Sequence, residues 1–259
     1  MKNVLLVLAH PDSGSLNAQL LCAAQEELQA QGHKVVISDL YAQDWKAVYD
    51  ERDFPSRLDE TRLNFVAESG HAYRNDIQPS DIYAEQAKLK AADAVVFQFP
   101  LWWFGMPAIM KGWIERVFAY GLAYGYRDEG NRFRYGDGAF QGKRAMLSVT
   151  VGGPEKDYAA RGINGQLEEL LFPITHGTLF FTGMEVMPTF AAYDVHRLDA
   201  NDIERAKVAL RARMRCLFDD SAIPFRPQNG GEYPDRHVLA DDIAPGCTGL
   251  RVHLRCGDT

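Results

Sequence analysis

The chain lacks a bilayer-length apolar run, an excess of positive charge and any paired-cysteine motif, and each absence removes a class of function. A membrane helix needs about 20 consecutive apolar residues. The N-terminal run in MKNVLLVLAHPDS stops at His10-Pro11-Asp12, without the small-residue cleavage site of a secretory leader, and reads as a first strand. Lys and Arg total 28 against 35 Asp and Glu, a formal net charge of -7, so a broad attraction to nucleic acid or anionic lipid is not expected. The four cysteines, Cys22, Cys216, Cys247 and Cys256, have no C-x-x-C spacing, which argues against a zinc ribbon or disulfide framework and suits a reducing cytoplasm. GxxxxGK[ST] and GxGxxG are both missing, so neither a P-loop nor a Rossmann dinucleotide fingerprint is present. Internal repeats and low-complexity tracts are missing as well.

What is present is an alternation. Continuous apolar runs at 4–9, 34–41, 93–100, 144–153 and 185–195 have the character of strands buried on both faces. Between and after them lie segments of helical periodicity: LNAQLLCAAQEELQAQG ending in Gly32, 81–92, 107–120, one between the fourth and fifth strands, and 200–218. Five strands alternating with helices predict a doubly wound parallel α/β sheet, with 2-1-3-4-5 the expected order. Residues 42–80 are polar and aromatic with weak periodicity, and 219–259 are turn-rich; both fall outside the alternation. The expected division is a sheet domain over 1–220 and a C-terminal extension over 221–259.

Ligands of such sheets bind at the carboxyl ends of the strands. After strand 1, Ser15 and Asn17 open a helix whose free N–H groups suit a phosphate. After strand 3, PLWWFGMP supplies flat apolar walls in Trp102, Trp103 and Phe104 between Pro100 and Pro107. After strand 4, Gly152 and Gly153 let backbone approach a planar ligand, with the phenol of Tyr158 nearby. Each signal alone has a plainer reading. Paired tryptophans are commonly core or interface packing, Gly-Gly is commonly a turn, and a single histidine such as His10 is commonly structural. Their convergence on three successive carboxyl-end loops describes a slot for a large flat ring joined to a phosphate, which a flavin fits.

The stretches VLAH, SDLYA, AEQAKLKAAD, FQFPLWWFGMPAIMKGWIERVF, LAYGY and LFPITHGTLFFTGMEV resemble the flavodoxin-fold NAD(P)H:quinone oxidoreductases of the FAD-containing type, over roughly residues 3–220. The resemblance implies a homodimer that carries FAD at the subunit interface and passes a hydride from NAD(P)H to a quinone. It implies that His10, Ser15, Leu16 and Asn17 contact the phosphate and ribityl portion. Pro100, Leu101, Trp102, Trp103 and Phe104 would line the isoalloxazine, and Thr150, Val151, Gly152 and Gly153 its polar edge. Glu115 would reach the partner's cofactor, and Tyr124, Gly125 and Tyr126 would cover substrate from the neighbouring chain. Tyr158 and Asn164 take the catalytic positions.

The sequence departs from the pattern in several places. Trp102 stands where glutamine is common, and Asn164 where the best-known member has a histidine; an amide cannot titrate near neutral pH. Glu204 stands where the family places an arginine on the distal part of FAD, which keeps FMN as the lesser alternative. One branch binds zinc through a His/Cys set of which only His176 is matched, with Phe180 at the second histidine's place, so no metal is expected. Two other classes of function fit the same fold: an ancillary flavin-binding subunit regulating a potassium-efflux system, and a flavodoxin-type one-electron carrier.

Overall fold

The computed structural model describes residues 1–255. Strands β1 (Asn3–Leu8), β2 (Lys34–Asp39), β3 (Ala94–Pro100), β4 (Arg144–Thr150) and β5 (Glu185–Val186) form a parallel sheet in the order β2-β1-β3-β4-β5, the predicted order. The predicted fifth strand is two pieces: β5 pairs Arg144 and Ala145, and β6 (Phe190–Ala192) pairs Ser148 to Thr150 of the same neighbour. Pro188 lies in the gap, and its missing N–H accounts for the break in an edge ladder.

Apolar residues fill both faces of each central strand. Leu5, Val7, Val95, Phe97, Phe99, Leu147 and Val149 point into one core, which also takes in Leu89, Met110 and Trp113 of α3 (Ser80–Ala91) and α4 (Ala108–Val117). Val4, Leu6, Leu8, Val96 and Met146 point into the other, against Leu20 and Leu28 of α1 (Leu16–Ala30) and Leu210 and Met214 of α7 (Ala200–Arg215). Period-two alternation with both sets apolar is what a sheet covered on both sides requires.

The segment 42–80 holds more structure than its weak periodicity suggests. It contains a 3-10 turn (Glu51–Asp53) and helix α2 (Phe65–Arg74). Polar contacts dock it. Asp53 is buried and takes hydrogen bonds from Arg116 of α4 at 3.0 Å and from Lys46 at 3.0 Å. Gly112 of α4 faces the same segment, and a Cβ there would lie 1.9 Å from the Ala47 carbonyl. Helix α4 therefore gives up a side chain to let this loop pass.

Between β4 and β5 the helical run is irregular, with α5 (Leu167–Leu170), α6 (Phe172–Ile174) and a π-helical segment (Thr175–Phe180). The tail docks beside β5: Ile223 N–H donates to the Val186 carbonyl at 2.7 Å, and Phe225 bridges to Leu254 in antiparallel fashion. Among the described residues no helix is long and apolar enough to cross a membrane.

Candidate functional site

The loops after β1, β3 and β4 meet at the carboxyl edge of the sheet. Asp12 organises the first: its Oδ1 accepts from Gly14 N–H at 2.8 Å, its carbonyl accepts from Ser15 N–H at 3.1 Å, and its own N–H donates to His10 Nδ1 at 3.1 Å. Ser15 is the N-cap of α1 and its hydroxyl accepts from Ala18 N–H at 3.2 Å. That fixes the axis of a 15-residue helix whose first-turn N–H groups, at Leu16 and Asn17, carry the positive end of the helix dipole.

Asn17 also points inward. Its amide donates to Thr150 Oγ1 at 2.9 Å and accepts from Gln98 Nε2 at 2.8 Å, and all three residues are buried. The chain Gln98–Asn17–Thr150 ties β3, α1 and β4 together at the switch point of the sheet. Gln98 was not among the predicted site residues. Its signal was a single amide in the otherwise apolar AVVFQFP strand, which demands a buried partner.

The second loop explains the paired tryptophans. Leu101 N–H donates to the Thr150 carbonyl at 2.8 Å, so the chain is still tied to β4 as it leaves Pro100. Trp102 and Gly105 then bridge across a tight turn whose two central residues are Trp103 at φ 49° and Phe104 at φ 61°. Bulky side chains there cost of order 1–3 kcal/mol each. The turn pushes its rings out: Trp103 is 96% exposed, while Trp102 and Phe104 are about half exposed. The core reading of Trp103 is thereby removed. Trp102 faces the His10 ring at 5.9 Å, which joins the first two loops into one apolar shelf.

The third loop supplies the polar wall. Val151 N–H donates to the Ala192 carbonyl at 2.8 Å and Asp194 N–H to the Gly153 carbonyl at 2.9 Å, so the glycine pair is held against the segment after β6. A Cβ on Gly152 would sit 3.2 Å from His196 Nε2, and one on Gly153 would sit 3.3 Å from the Tyr158 ring. Tyr158 has its pKa raised by burial and by the Asp157 carboxylate, with a hydrogen bond from Asn164 opposing the rise. Asn164 is tied to the same turn, its N–H donating to the Asp157 carbonyl at 3.0 Å. Tyr193 lies 5.8 Å from the Tyr158 ring, and burial with the charges of Glu168 and Glu155 pushes its pKa up to about 12. Tyr193 falls inside the run 185–195 that reads as the fifth strand, and His196 directly follows it; neither carries a sequence signal of its own.

Tyr124, Gly125 and Tyr126 stand apart from this shelf. Tyr124 packs edge-on against Tyr120 at 5.4 Å, and burial raises its pKa, a rise that nearby Ser69 of α2 opposes. Gly125 is obligatory: at φ 65°, a Cβ would lie 2.2 Å from the Tyr120 ring. Tyr126 sits 6.1 Å from Phe133 with Arg127 over its face at 5.0 Å. Among the described residues neither tyrosine shares a ring contact or hydrogen bond with Trp103 or Tyr158. Between the two regions runs an apolar trough. One part, about 310 Å³, is lined by Phe104, Met106 and Ile114; the next, about 340 Å³, by Ile114, Glu115, Phe118 and Tyr124. Glu115 is held by Lys111 at 2.5 Å on the rim.

His176 lies among aromatic rings rather than ligands: Phe180 and Phe225 stand at 5.6 and 5.1 Å from its ring. Among the described residues no group of three His, Cys, Asp or Glu is placed to hold a metal.

An open parallel sheet with a ring-shaped shelf and a helix N-terminus at its switch point defines a doubly wound α/β protein with its site at the carboxyl edge. Residues 2–214 match the family model described as a flavodoxin-like fold, and the chain belongs to that family. It is 47% identical to the Ribosyldihydronicotinamide dehydrogenase-like protein traD of Penicillium crustosum, over 97% of this chain and 95% of the other. NAD(P)H dehydrogenase [quinone] 1 of Cavia porcellus is 37% identical over 88% of this chain and 82% of its own. A crystal structure of a candidate quinone reductase from Klebsiella pneumoniae superposes with a TM-score of 0.94 at 48% identity, covering 98% of this chain and all (100%) of the other. The resemblance, the fold class and the enzyme class read from the sequence are borne out by these relatives.

Proposed function

We propose that the protein is a flavin-dependent NAD(P)H:quinone oxidoreductase, moving two electrons as a hydride from a dihydronicotinamide to a quinone through one slot used in turn. A bound flavin supplies the redox chemistry; the chain supplies position and electrostatics. The observation that carries this is Trp103, 96% exposed on a strained turn that Leu101 N–H ties to the Thr150 carbonyl, at the end of the strand that leads to the glycine pair. Exposed rings held at a conformational cost need a ligand to account for them.

On this reading Ser15, Leu16 and Asn17 hold the phosphate, with His10 behind them. Pro100 to Phe104 form the apolar face, and Thr150 to Gly153 bring backbone to the polar edge. Tyr158, kept protonated by its raised pKa, donates a hydrogen bond where negative charge develops as the hydride arrives. Asn164 orients that phenol and carries no proton of its own.

The cofactor is FAD rather than FMN. A groove along α7, lined by Asn201, Glu204, Arg205 and Val208, leaves room for a distal moiety. Glu204 there is engaged by Lys207 and Arg211, both at 3.5 Å, which blunts its repulsion of phosphate. The trough from Phe104 to Tyr124 supports a two-fold dimer in the cytoplasm, which would bring Tyr124, Gly125 and Tyr126 over the partner's shelf and Glu115 to the partner's cofactor. Residues 1–220 form the flavin-binding unit and 221–259 an extension on it, of which 256–259 lie outside the described residues. The donor is a nicotinamide; the names of the two relatives divide between ribosyldihydronicotinamide and NAD(P)H.

Releasing the bound cofactor and measuring its mass separates FAD from FMN. Anaerobic mixing with NADH, NADPH or dihydronicotinamide riboside, then with a naphthoquinone, should bleach and restore the flavin in two-electron steps. Bleaching without restoration by quinone would sink the reductase reading, and a fully active monomer in sedimentation would sink the dimer.

A further inference from the structure

Under the tail lies a second cavity, about 210 Å³, that shares no residue with the carboxyl-end loops. Three segments build it: Arg134 and Tyr135, His176 of the π-helical turn, and the tail from Arg226 to His253. Among the described residues no Asp or Glu lines it, while three arginines do, Arg134, Arg226 and Arg236. Arg226 is neutralised by Glu232, which also holds Arg255 at 2.8 Å. Arg134 has its Nε buried without a hydrogen-bond partner, and Arg236 makes no ion pair among the described residues. Burial lowers the pKa of His176 and His253, so both rings add neutral surface and no charge at neutral pH.

Two further features narrow the ligand. Gln228 is 4% exposed; its Nε2 donates to the Arg236 carbonyl at 3.0 Å, but its Oε1 has no partner. A buried acceptor left empty in this way calls for a donor. The walls are rings: Tyr135 stacks on His176 at 4.8 Å, and Tyr233 on His253 at 6.1 Å. A dry cavity of about 150 Å³ accepts benzene, so this one has room for a ring and a carboxylate.

We propose that the cavity binds a small planar anion of the hydroxybenzoate type. The carboxylate lies between Arg134 and Arg236, the ring lies against Tyr135 and Tyr233, and the hydroxyl donates to Gln228 Oε1. Guanidinium groups match a carboxylate in shape as well as charge. The assignment does not depend on the flavin reading, because it concerns binding alone.

Calorimetric titration of the full-length, cofactor-loaded protein with 4-hydroxybenzoate, benzoate and inorganic phosphate tests it. One saturable site per chain is expected, with 4-hydroxybenzoate several-fold tighter than benzoate and phosphate weakest. Arg236 is exposed, so Arg236→Gln keeps the fold and should weaken both benzoates about tenfold, the effect of losing one charge-assisted hydrogen bond. Gln228→Leu should erase the preference for the hydroxyl. No saturable heat at millimolar ligand, unchanged affinity in Arg236→Gln, or displacement by excess naphthoquinone would each overturn the proposal, the last by moving the ligand to the flavin shelf. Phosphate binding as tight as hydroxybenzoate would overturn the ring-bearing class.

Discussion

Two aromatic clusters in this chain are built from the same residue types and put to opposite uses. Around His176, the rings of Tyr135, Phe180 and Phe225 pack together, with Phe180 and Phe225 5.1 Å apart and nearly buried. At the carboxyl edge, Trp102, Trp103 and Phe104 point outward from a turn that two of them can occupy only with positive φ. The first cluster gains stability from its ring contacts, which offset the positive φ that Tyr135 also holds, at 48°, and Tyr135 and His176 also face the cavity under the tail. The second incurs strain and buries little, so its stabilisation has to come from what it binds. Neither ring content nor positive φ alone separates the two; the shelf is the cluster whose rings hold positive φ and stay exposed.

The sharpest way to separate the two is to delete a ring from each. Phe180→Ala should lower folding stability by about 3–5 kcal/mol, the usual cost of emptying a packed aromatic position, in chemical denaturation of the apoprotein. A loss under about 1 kcal/mol would mean the cluster is not core. Next in size is the polar wall of the shelf. Tyr158→Phe should slow flavin reduction by about 10- to 100-fold, or ~1.4–2.7 kcal/mol of barrier, with cofactor content unchanged. An unchanged stopped-flow rate with flavin bound would remove Tyr158 from the mechanism.

Trp103→Gly runs the other way. It should raise apoprotein stability by up to about 1 kcal/mol by relieving positive φ, because the ring has almost no packing to lose, while flavin binding weakens. Destabilisation of the apoprotein would show that the ring is packed after all. The buried cluster should also show a pH dependence. Burial and the nearby His253 hold the His176 pKa down at about 4, below its ordinary 6.5. The unfolded chain then binds the proton first, so stability is full above about 6.5 and declines as pH falls toward 4. Thermal melts of the parent should show that decline, and His176→Phe should flatten it.

Much of this molecule was legible from its sequence. Runs such as VLLVL and AVVFQFP can be buried on both faces only in a covered parallel sheet, and the order 2-1-3-4-5 follows as a common solution for five such units. The loops that carry the shelf were likewise fixed once the strands were placed. Less was legible where polar contacts replace periodicity. The turn at Glu51–Asp53 is docked by Arg116 and Lys46 on one buried carboxylate, and α2 by Ser69 accepting from Tyr120 N–H, which leaves no repeating pattern to read. Tyr193 lay inside the run read as one strand and His196 just past it; the chain turns only after β6, where Asp194 N–H reaches the Gly153 carbonyl and His196 comes beside Gly152.

The sequence by itself determined the sheet, its two apolar faces and the strand ends at which chemistry gathers, because those depend on local pattern and on the few ways to pack it. Only the tertiary structure decided which tryptophan is displayed, that Gln98 locks Asn17 to Thr150, and that Arg134 shares one cavity with Arg226 and Arg236 of the tail, with no carboxylate lining it among the described residues. Those depend on exposure, on backbone sign and on pairs far apart along the chain: Gln98 lies 81 residues from Asn17, and Asn17 lies 133 from Thr150. Such pairings are set by where the packed elements leave each side chain, and no window along the chain contains that information.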